Sequence, residues 1–323
     1  MKQSSPTNRK INTLWLLTRP FQSLAVRLVS RNSIRPHLRE LERRDVEGSD
    51  AYWRALLEGC TPGQVPDLGG PSSASSDRGP DHAELSRTLR PETSARIVAL
   101  AEQCGVTPNT VLQAAWALLL DRTQGTSDVC FGATRAGRHA AGPEAAEIAG
   151  VFINTLPMRV TVSDHETVAS LLRALREQHL AHRAHERTPL SRIRSLVANE
   201  SGSPLLGTLV MVEGRSLQDE MRRRHPDWNE RQVRLIDQTS FPLTLVARLA
   251  DPIELEVEFD TRRYTLEAAE GVIDHLCVVL DALCDGPEAP LDGIRRLSAE
   301  DWAPQSRPPV IPDPPPVHDA VLA

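Results

Sequence analysis

The chain is predicted to fold as a mixed α/β sandwich, in which helices cover a sheet of parallel and antiparallel strands. Strand patterns alternate along the chain with helix patterns, an order typical of a sheet packed against helices. Two consecutive strand patterns, Phe241–Ala250 and Ile253–Asp260, are joined by Asp251-Pro252 and form the clearest hairpin in the sequence. In the second of them, IELEVEFD, every other residue is apolar, as in a strand that buries one face.

Helices are predicted from apolar residues that recur every three to four positions and from residues that favour helix ends. Residues 40–59 indicate a charged helix or helix pair. Thr110–Arg122 is apolar around so much of its circumference that it should be buried. Ser163 or Asp164 is expected to cap a long helix that runs to about Glu186. The other predicted helices are Glu92–Gln103 and Leu266–Leu283.

The other predicted strands are short runs bounded by turn residues. They are Asp81–Arg90, Val129–Thr134, Phe152–Val160 and Leu205–Val212. Because proline cannot donate a hydrogen bond to a neighbouring strand, Pro157 implies an edge strand or a bulge. Residues 213–237 are highly charged and are expected to form a surface excursion.

Charge is unevenly distributed along the chain. Residues 1–39 contain eight Lys or Arg and no Asp or Glu, and since the whole chain carries −6, residues 40–323 carry −14. An acidic body of this kind repels phosphate backbones, so the sequence argues against nucleic-acid binding.

The basic N-terminal segment also contains the most apolar stretch, Leu14 to Val29. Arg19, Pro20 and Arg27 interrupt that stretch, which excludes a membrane span and fits a secretory signal poorly. Residues 1–35 are expected to be a poorly ordered basic tail, with an amphipathic or transit-like segment as the alternative.

The number and spacing of the cysteines, and the absence of common catalytic motifs, argue against several classes of protein. The five cysteines are an odd number and none forms CxxC, which argues against a disulfide framework or a zinc site and favours a reducing cytoplasm. Neither a GxSxG nucleophile elbow, nor GxGxxG, nor a phosphate-binding P-loop occurs.

Several ordered motifs resemble the condensation domain of nonribosomal peptide synthetases. TVLQAAWALLLDRTQGTSDVCFGATRAGR (Thr110 to Arg138) and IAGVFINTLPMRV (Ile148 to Val160) carry most of this resemblance. The other matching motifs, in family order, are AYWRALLEG (Ala51 to Gly59), HERTPL (His185 to Leu190), TSFPLTLVARL (Thr239 to Leu249) and LDGIRRLSAED (Leu291 to Asp301). Motifs in this number and order are far more specific than any single one.

The resemblance implies a chloramphenicol-acetyltransferase-like fold and one lobe of a two-lobe condensation domain. Residues 36–60 resemble the end of the first lobe and the connecting helix, and residues 81–301 resemble the C-terminal lobe. Residues 61–80, rich in Pro, Gly and Ser, are expected to be a linker. Residues 302–323 are expected to be a stiff proline-rich tail, and their end is similar to the start of an adenylation domain.

The family's reaction joins carrier-protein-bound acyl or aminoacyl groups through an amide bond. Its active-site signature, HHxxxDG, is absent from this sequence, which has no adjacent histidine pair. No residue is therefore assigned as catalytic, and the chain is expected to be a truncated or split domain that is inactive alone. The alternatives are a non-catalytic module that docks a carrier protein or synthetase, and a gene fragment without function.

The resemblance also implies partners and site residues. The expected partners are peptidyl carrier proteins, whose phosphopantetheine arm makes any cofactor of this chain unnecessary, and a separately encoded first lobe or an adenylation domain. Arg138 matches an arginine that pairs with the aspartate of HHxxxDG, with Arg135 as a neighbouring alternative. Asn154 matches a tunnel-lining asparagine, and the competing interpretation is an asparagine that satisfies a turn or bulge.

Two further groups of residues allow a functional and a structural interpretation. Trp53 could lie near the tunnel, but packing in the core is the favoured interpretation, because buried aromatic residues usually serve packing. His179, His182 and His185 invite a metal site. Spacings of three and three spread them over roughly 120° of a helix without a completing carboxylate or Cys, so solvated histidines are expected and no metal is assigned.

Overall fold

A computed structural model describes residues 46–61, 63, 65–66, 68, 82–136, 153–164, 166–197, 204–214 and 239–295. The first described element is the helix α1 (Val46–Leu57). The strands are β1 (His82–Thr88), β2 (Asp128–Arg135), β3 (Asn154–Thr161), β4 (Thr208–Glu213), β5 (Leu243–Arg248) and β6 (Glu254–Asp260). The other helices are α2 (Pro91–Gln103), α3 (Pro108–Gln124), α4 (Val168–His182), α5 (Leu190–Leu196), α6 (Leu266–Leu283) and α7 (Leu291–Arg295).

The six described strands form one mixed sheet in the order β1-β6-β5-β4-β2-β3. β4 runs parallel to β2 and β5, whereas the β5–β6, β6–β1 and β2–β3 pairs are antiparallel. This confirms the mixed sheet and the hairpin at Asp251-Pro252. β3 lies at one edge of the described sheet, which is the position that Pro157 predicts.

The sheet packs against α3, the most buried helix of the described chain. Every residue from Thr110 to Asp121 is buried, as the apolar pattern predicts. Trp116 is fully buried, and its indole Nε1 donates a hydrogen bond to Thr208 Oγ1 at the start of β4. Gly125 ends the helix in the left-handed conformation that glycine adopts without a steric penalty. The main core therefore lies between the sheet and a layer that contains α2, α3, α4 and α6.

A second, smaller core joins α1 and α5 to the β2–β3 side of the sheet. Its buried members are Trp53, Leu57, Cys130, Leu156, Ile193, Leu205 and Leu206. The packing of Trp53 in this core confirms its interpretation as a core residue, with none of its side chain exposed. This cluster fixes the connecting helix α1 against the lobe.

The long helix predicted from Ser163 or Asp164 to Glu186 is shorter at both ends. Residues 162–164 form a 3-10 turn, and Thr167 caps α4 instead. The Thr167 hydroxyl accepts from the Ser170 amide, while Ser170 Oγ accepts from the Thr167 amide, so both ends of a capping box are satisfied. At the other end α4 stops at His182, and a turn follows.

Other predicted segments differ in extent or lie outside the described residues. The strand predicted from Leu205 begins at Thr208, and the helices α5 and α7 were not predicted. Residues 1–45, most of the linker 61–80, residues 215–238 and the proline-rich tail 302–323 lie outside the described chain.

Gly132 on β2 pairs with Pro157 of β3 and Leu209 of β4, and it has no room for a side chain, which predicts a stability effect. A Cβ atom there would lie 2.9 Å from Thr155 Cγ2 and 3.0 Å from Leu209 Cδ1. We expect Gly132→Ala to lower the free energy of unfolding by about 1–3 kcal/mol through overpacking. Gly271→Ala, in α6, meets no atom within 4 Å and should raise the free energy of unfolding by about 0.5–1 kcal/mol.

Urea unfolding of both variants measures the difference. If the two alanines change the free energy of unfolding equally and with the same sign, the packing described around Gly132 is wrong.

Candidate functional site

Asn154 is the first residue of β3, and its carboxamide lies against the turn that follows α4. Its Nδ2 donates to the carbonyl oxygens of Glu186 and Thr188, both at 2.9 Å, and its Oδ1 accepts from the Thr155 amide at 3.0 Å. Both N–H groups of the side chain are therefore used to hold the HERTPL segment on the edge of the sheet. Its assignment to the substrate tunnel stays a prediction.

Arg138 lies outside the described residues, and its assignment as an active-site support also stays a prediction. Its alternative, Arg135, ends β2 and pairs in register with Asn154. One guanidinium nitrogen, Nη2, is buried without a hydrogen-bond partner among the described residues. Burial lowers the pKa of Arg135, and the nearby carboxylate of Glu186 opposes that shift.

The expectation that the three histidines are solvated is wrong, because none of them is exposed and His185 is half-buried. His182 is 1% exposed, and His179 is half-buried with its Nε2 2.9 Å from Gln113 Oε1. Burial, followed by the charge of Arg135, lowers the pKa of both imidazoles to about 3, so both are neutral at pH 7. Since an amide oxygen can only accept, the His179 ring carries its proton on Nε2.

His182 is buried because α1 packs across the end of α4, whereas His179 faces Gln113 on α3. The Tyr52 ring stacks on His185 with centroids 4.2 Å apart, and the Trp53 and His182 rings lie 5.1 Å apart. His185 lies in the turn after the helix and contacts Ser49 Oγ at 3.0 Å. Among the described residues, no group of three or more His, Cys, Asp or Glu could hold a metal ion.

The site therefore consists of buried nitrogen atoms that lie on α1, on α4 and at the end of β2. Trp53 Nε1, both ring nitrogens of His182 and Arg135 Nη2 are buried and have no hydrogen-bond partner in the described part of the chain. Trp53 Nε1 and Arg135 Nη2 can only donate, and the neutral His182 ring adds one further N–H, so the site favours an acceptor such as a carbonyl or carboxylate over an apolar ligand. The sequence did not predict that Trp53, His182 and Arg135 come together. The one available signal is that Arg135 lies on the same face of β2 as Phe131 and Ala133, because side chains alternate along a strand.

Arg159 on β3 is a second residue that the sequence did not single out. Its Nε and Nη2 donate to the two carboxylate oxygens of Asp128, at 2.9 and 2.8 Å. Its Nη1 donates to the carbonyl oxygens of Leu56 and Glu58, at 2.9 and 2.6 Å. One guanidinium thus connects the C-terminal end of α1, whose last carbonyls lack helical partners, with the β2–β3 hairpin.

The fold is that of a chloramphenicol-acetyltransferase-like lobe, as two solved structures show. The condensation domain from Monacolin K polyketide synthase MokA superposes with a TM-score of 0.64 at 18% identity, over 79% of this chain and 61% of that chain. The first condensation domain of the calcium-dependent antibiotic synthetase, in complex with a substrate analogue, gives 0.61 at 19% identity, over 81% and 58%. At this identity the likeness establishes the fold alone.

The family follows from the sequence match. The model of the condensation domain matches residues 34–303, and the chain belongs to the condensation-domain family. It is 32% identical over 263 residues to a linear gramicidin synthase of Brevibacillus parabrevis and 28% identical over 268 residues to bacitracin synthase 3 of Bacillus licheniformis. Each match covers 80% of this chain but only 5% and 4%, respectively, of the two synthases.

Proposed function

We propose that this chain is the C-terminal lobe of a condensation domain that forms an amide bond between two carrier-bound substrates. The family match over residues 34–303 carries the proposal. In the proposed reaction, the amine of the acceptor thioester attacks the carbonyl carbon of the donor thioester. A C–N bond forms, the C–S bond breaks, and the donor carrier leaves as a free thiol while the amine loses a proton.

The proton-accepting histidine is proposed to come from a lobe that carries HHxxxDG. The chain contains no such motif. His179 and His182, with pKa values lowered to about 3, are poor general bases at neutral pH, where an efficient base has a pKa close to 7. We therefore expect the 323-residue chain alone to form no condensation product, with Arg138 and Asn154 supporting a site that another lobe completes.

The proposed partners are two peptidyl carrier proteins, each with its own phosphopantetheine arm, and an adenylation domain that loads the acceptor. The chain itself is proposed to need no metal or cofactor for this reaction. Among the described helices, none is long and apolar enough to cross a membrane. We propose a cytoplasmic location, which the free thiols of all five cysteines support.

A reconstitution experiment tests this function. The chain is mixed with a lobe ending in HHxxxDG encoded next to it, an acyl-loaded donor carrier and an aminoacyl-loaded acceptor carrier. We expect the acceptor carrier to gain the mass of the acyl group in the complete mixture and not when either lobe is left out. An unchanged acceptor mass in the complete mixture, with both lobes folded by circular dichroism, contradicts the proposal.

The absent HHxxxDG motif also favours a second candidate, a docking module without catalysis. Such a module would bind a carrier protein directly and release it unchanged. Isothermal titration of the chain with a carrier, in the absence of the other lobe, measures this. Saturable one-to-one binding together with no product in the complete mixture supports docking, whereas binding with product supports the condensation function.

A further inference from the structure

Two cysteines, Cys60 and Cys130, lie in the small core at the C-terminal end of α1. Arg159 is the register partner of Cys130 in the β2–β3 hairpin, so the two side chains lie on the same face of the sheet. Because Arg159 Nη1 binds the carbonyls of Leu56 and Glu58, it holds the last turn of α1 over Cys130. Cys60 follows that turn, with its amide donating to Leu57 O at 3.1 Å.

Cys60 and Cys130 consequently belong to the same packed cluster, where each thiol shifts the pKa of the other, and Cys60 Sγ also donates to the Thr61 carbonyl oxygen at 3.8 Å. Cys130 is 2% exposed, whereas Cys60 is partly open to solvent. When an accessible thiol lies beside a buried one, oxidation of the accessible sulfur can be followed by its reaction with the buried thiol to form a disulfide.

The surroundings make the two thiols unequal. The interaction with the Cys130 thiol, followed by the charge of Arg159, lowers the pKa of Cys60. The contact with Cys60, followed by burial, raises the pKa of Cys130 well above that of a free cysteine. Cys60 is therefore the sulfur that is more readily ionised, and the thiolate is the reactive form of cysteine.

We propose that Cys60 and Cys130 form a redox-modification site that a peroxide converts into a reversible disulfide. The Cys60 thiolate attacks one peroxide oxygen, which forms a sulfenic acid and releases hydroxide. The Cys130 sulfur then attacks the Cys60 sulfur, an S–S bond forms, and water leaves with the thiol proton. Two thiols lose two electrons in total, and one hydrogen peroxide is reduced to two waters.

The disulfide joins the segment after α1 to the central part of the lobe. It closes the chain between residues 60 and 130 and reinforces the attachment that Arg159 already makes. A closed loop of this size strongly restricts the unfolded chain. A dithiol reductant reverses the bond, so the attachment of α1 becomes sensitive to the redox state.

The other three cysteines provide matched controls. Cys104, Cys277 and Cys284 follow α2, lie in α6 and follow α6, respectively. Burial raises the pKa of each, so none is activated as Cys60 is.

The experiment treats the reduced 323-residue chain with one equivalent of hydrogen peroxide, alkylates the remaining thiols and maps tryptic peptides. We expect an intramolecular link between the peptides 55–78 and 123–135, which carry the two cysteines. It should form at least about tenfold faster than any of the three control thiols is lost. Equal loss of all five thiols, or links between chains, overturns the proposal.

Two variants, each with one cysteine replaced, distinguish the proposed chemistry from an effect of misfolding. In Cys130→Ser, the Cys60 sulfenic acid should persist and be trapped by dimedone. Cys60→Ser changes a partly exposed side chain, and its peroxide consumption should fall to the level of the control thiols. Rapid oxidation of Cys130 in folded Cys60→Ser contradicts the assigned order of attack.

Discussion

Lowering the pH from 7 to 5 is expected to reduce the free energy of unfolding by about 4 kcal/mol through His179 and His182 alone. Both imidazoles have pKa values lowered to about 3 in the folded chain, against an ordinary value of 6.5. Between pH 6.5 and 3 the unfolded chain binds protons that the folded chain does not. Stability is therefore full above pH 6.5 and is lost as the pH falls toward 3, by about 2 kcal/mol for each histidine at pH 5.

Other titratable groups either add to the loss of stability between pH 7 and 5 or change their protonation below this pH range. Burial lowers the pKa of His275 to about 4, which adds to the loss at pH 5. Hydrogen bonds from Arg192 and Arg262 lower the pKa values of Asp50 and Asp260, respectively, so their contributions disappear only below the ordinary range of an aspartate. The window between pH 7 and 5 consequently isolates the histidines.

Urea unfolding at pH 7, 6 and 5 measures the effect, with His182→Leu as the matched variant. This change removes a fully buried ring whose nitrogens lack hydrogen-bond partners among the described residues, so the loss between pH 7 and 5 should fall by about 2 kcal/mol. At pH 7 the variant should be nearly as stable as the parent, since leucine replaces a buried polar ring without adding a group that needs a hydrogen-bond partner. A pH-independent free energy of unfolding in the parent contradicts the burial of these histidines.

Replacing Arg159 by Met is expected to lower the free energy of unfolding by about 2–3 kcal/mol. The change removes hydrogen bonds to both carboxylate oxygens of Asp128 and to two carbonyls at the end of α1. Breaking a fully buried pair costs about 3–5 kcal/mol, and the partial exposure of Arg159, 21% of its side chain, reduces that value. Arg159→Lys should recover little of this free energy of unfolding, since lysine lacks the planar guanidinium that binds a carboxylate through two nitrogen atoms.

Arg54→Met is the matched control for this prediction. Arg54 lies on α1 and pairs with Asp50 at 3.9 Å, but 57% of its side chain is exposed. A pair of this kind contributes about 0–1 kcal/mol. If the two methionines lower the free energy of unfolding equally, Arg159 does not attach α1 to the lobe as described.

The secondary structure was predictable wherever its determinants are local. The helix Leu266–Leu283 has the predicted bounds, and the Thr265 hydroxyl that caps it lies next to it in sequence. The strand Glu254–Asp260 follows from strict alternation. The predicted start of α4 was wrong because three polar residues compete there, and only Thr167 places its hydroxyl at the first free amides.

The site was less predictable because its parts are distant in sequence. His179 and His182 look solvated along their own helix, but α1, more than 120 residues earlier, packs on His182, and Gln113, 66 residues earlier, bonds His179. Arg159 carries no motif, and its partners lie about 30 and 100 residues away. The order of the strands depends in the same way on contacts that no local pattern encodes.

The most direct test of the proposed function is the reconstituted condensation reaction with the second histidine of the partner lobe's HHxxxDG replaced by alanine. The measured quantity is the rate at which the acceptor carrier gains the donor's acyl mass. We expect product with the unchanged partner lobe and a rate lower by about 10²–10⁴ with the alanine variant, the usual contribution of a general base. Equal rates with both partner lobes, or product from this chain without either, would contradict the proposed division of the active site between two lobes.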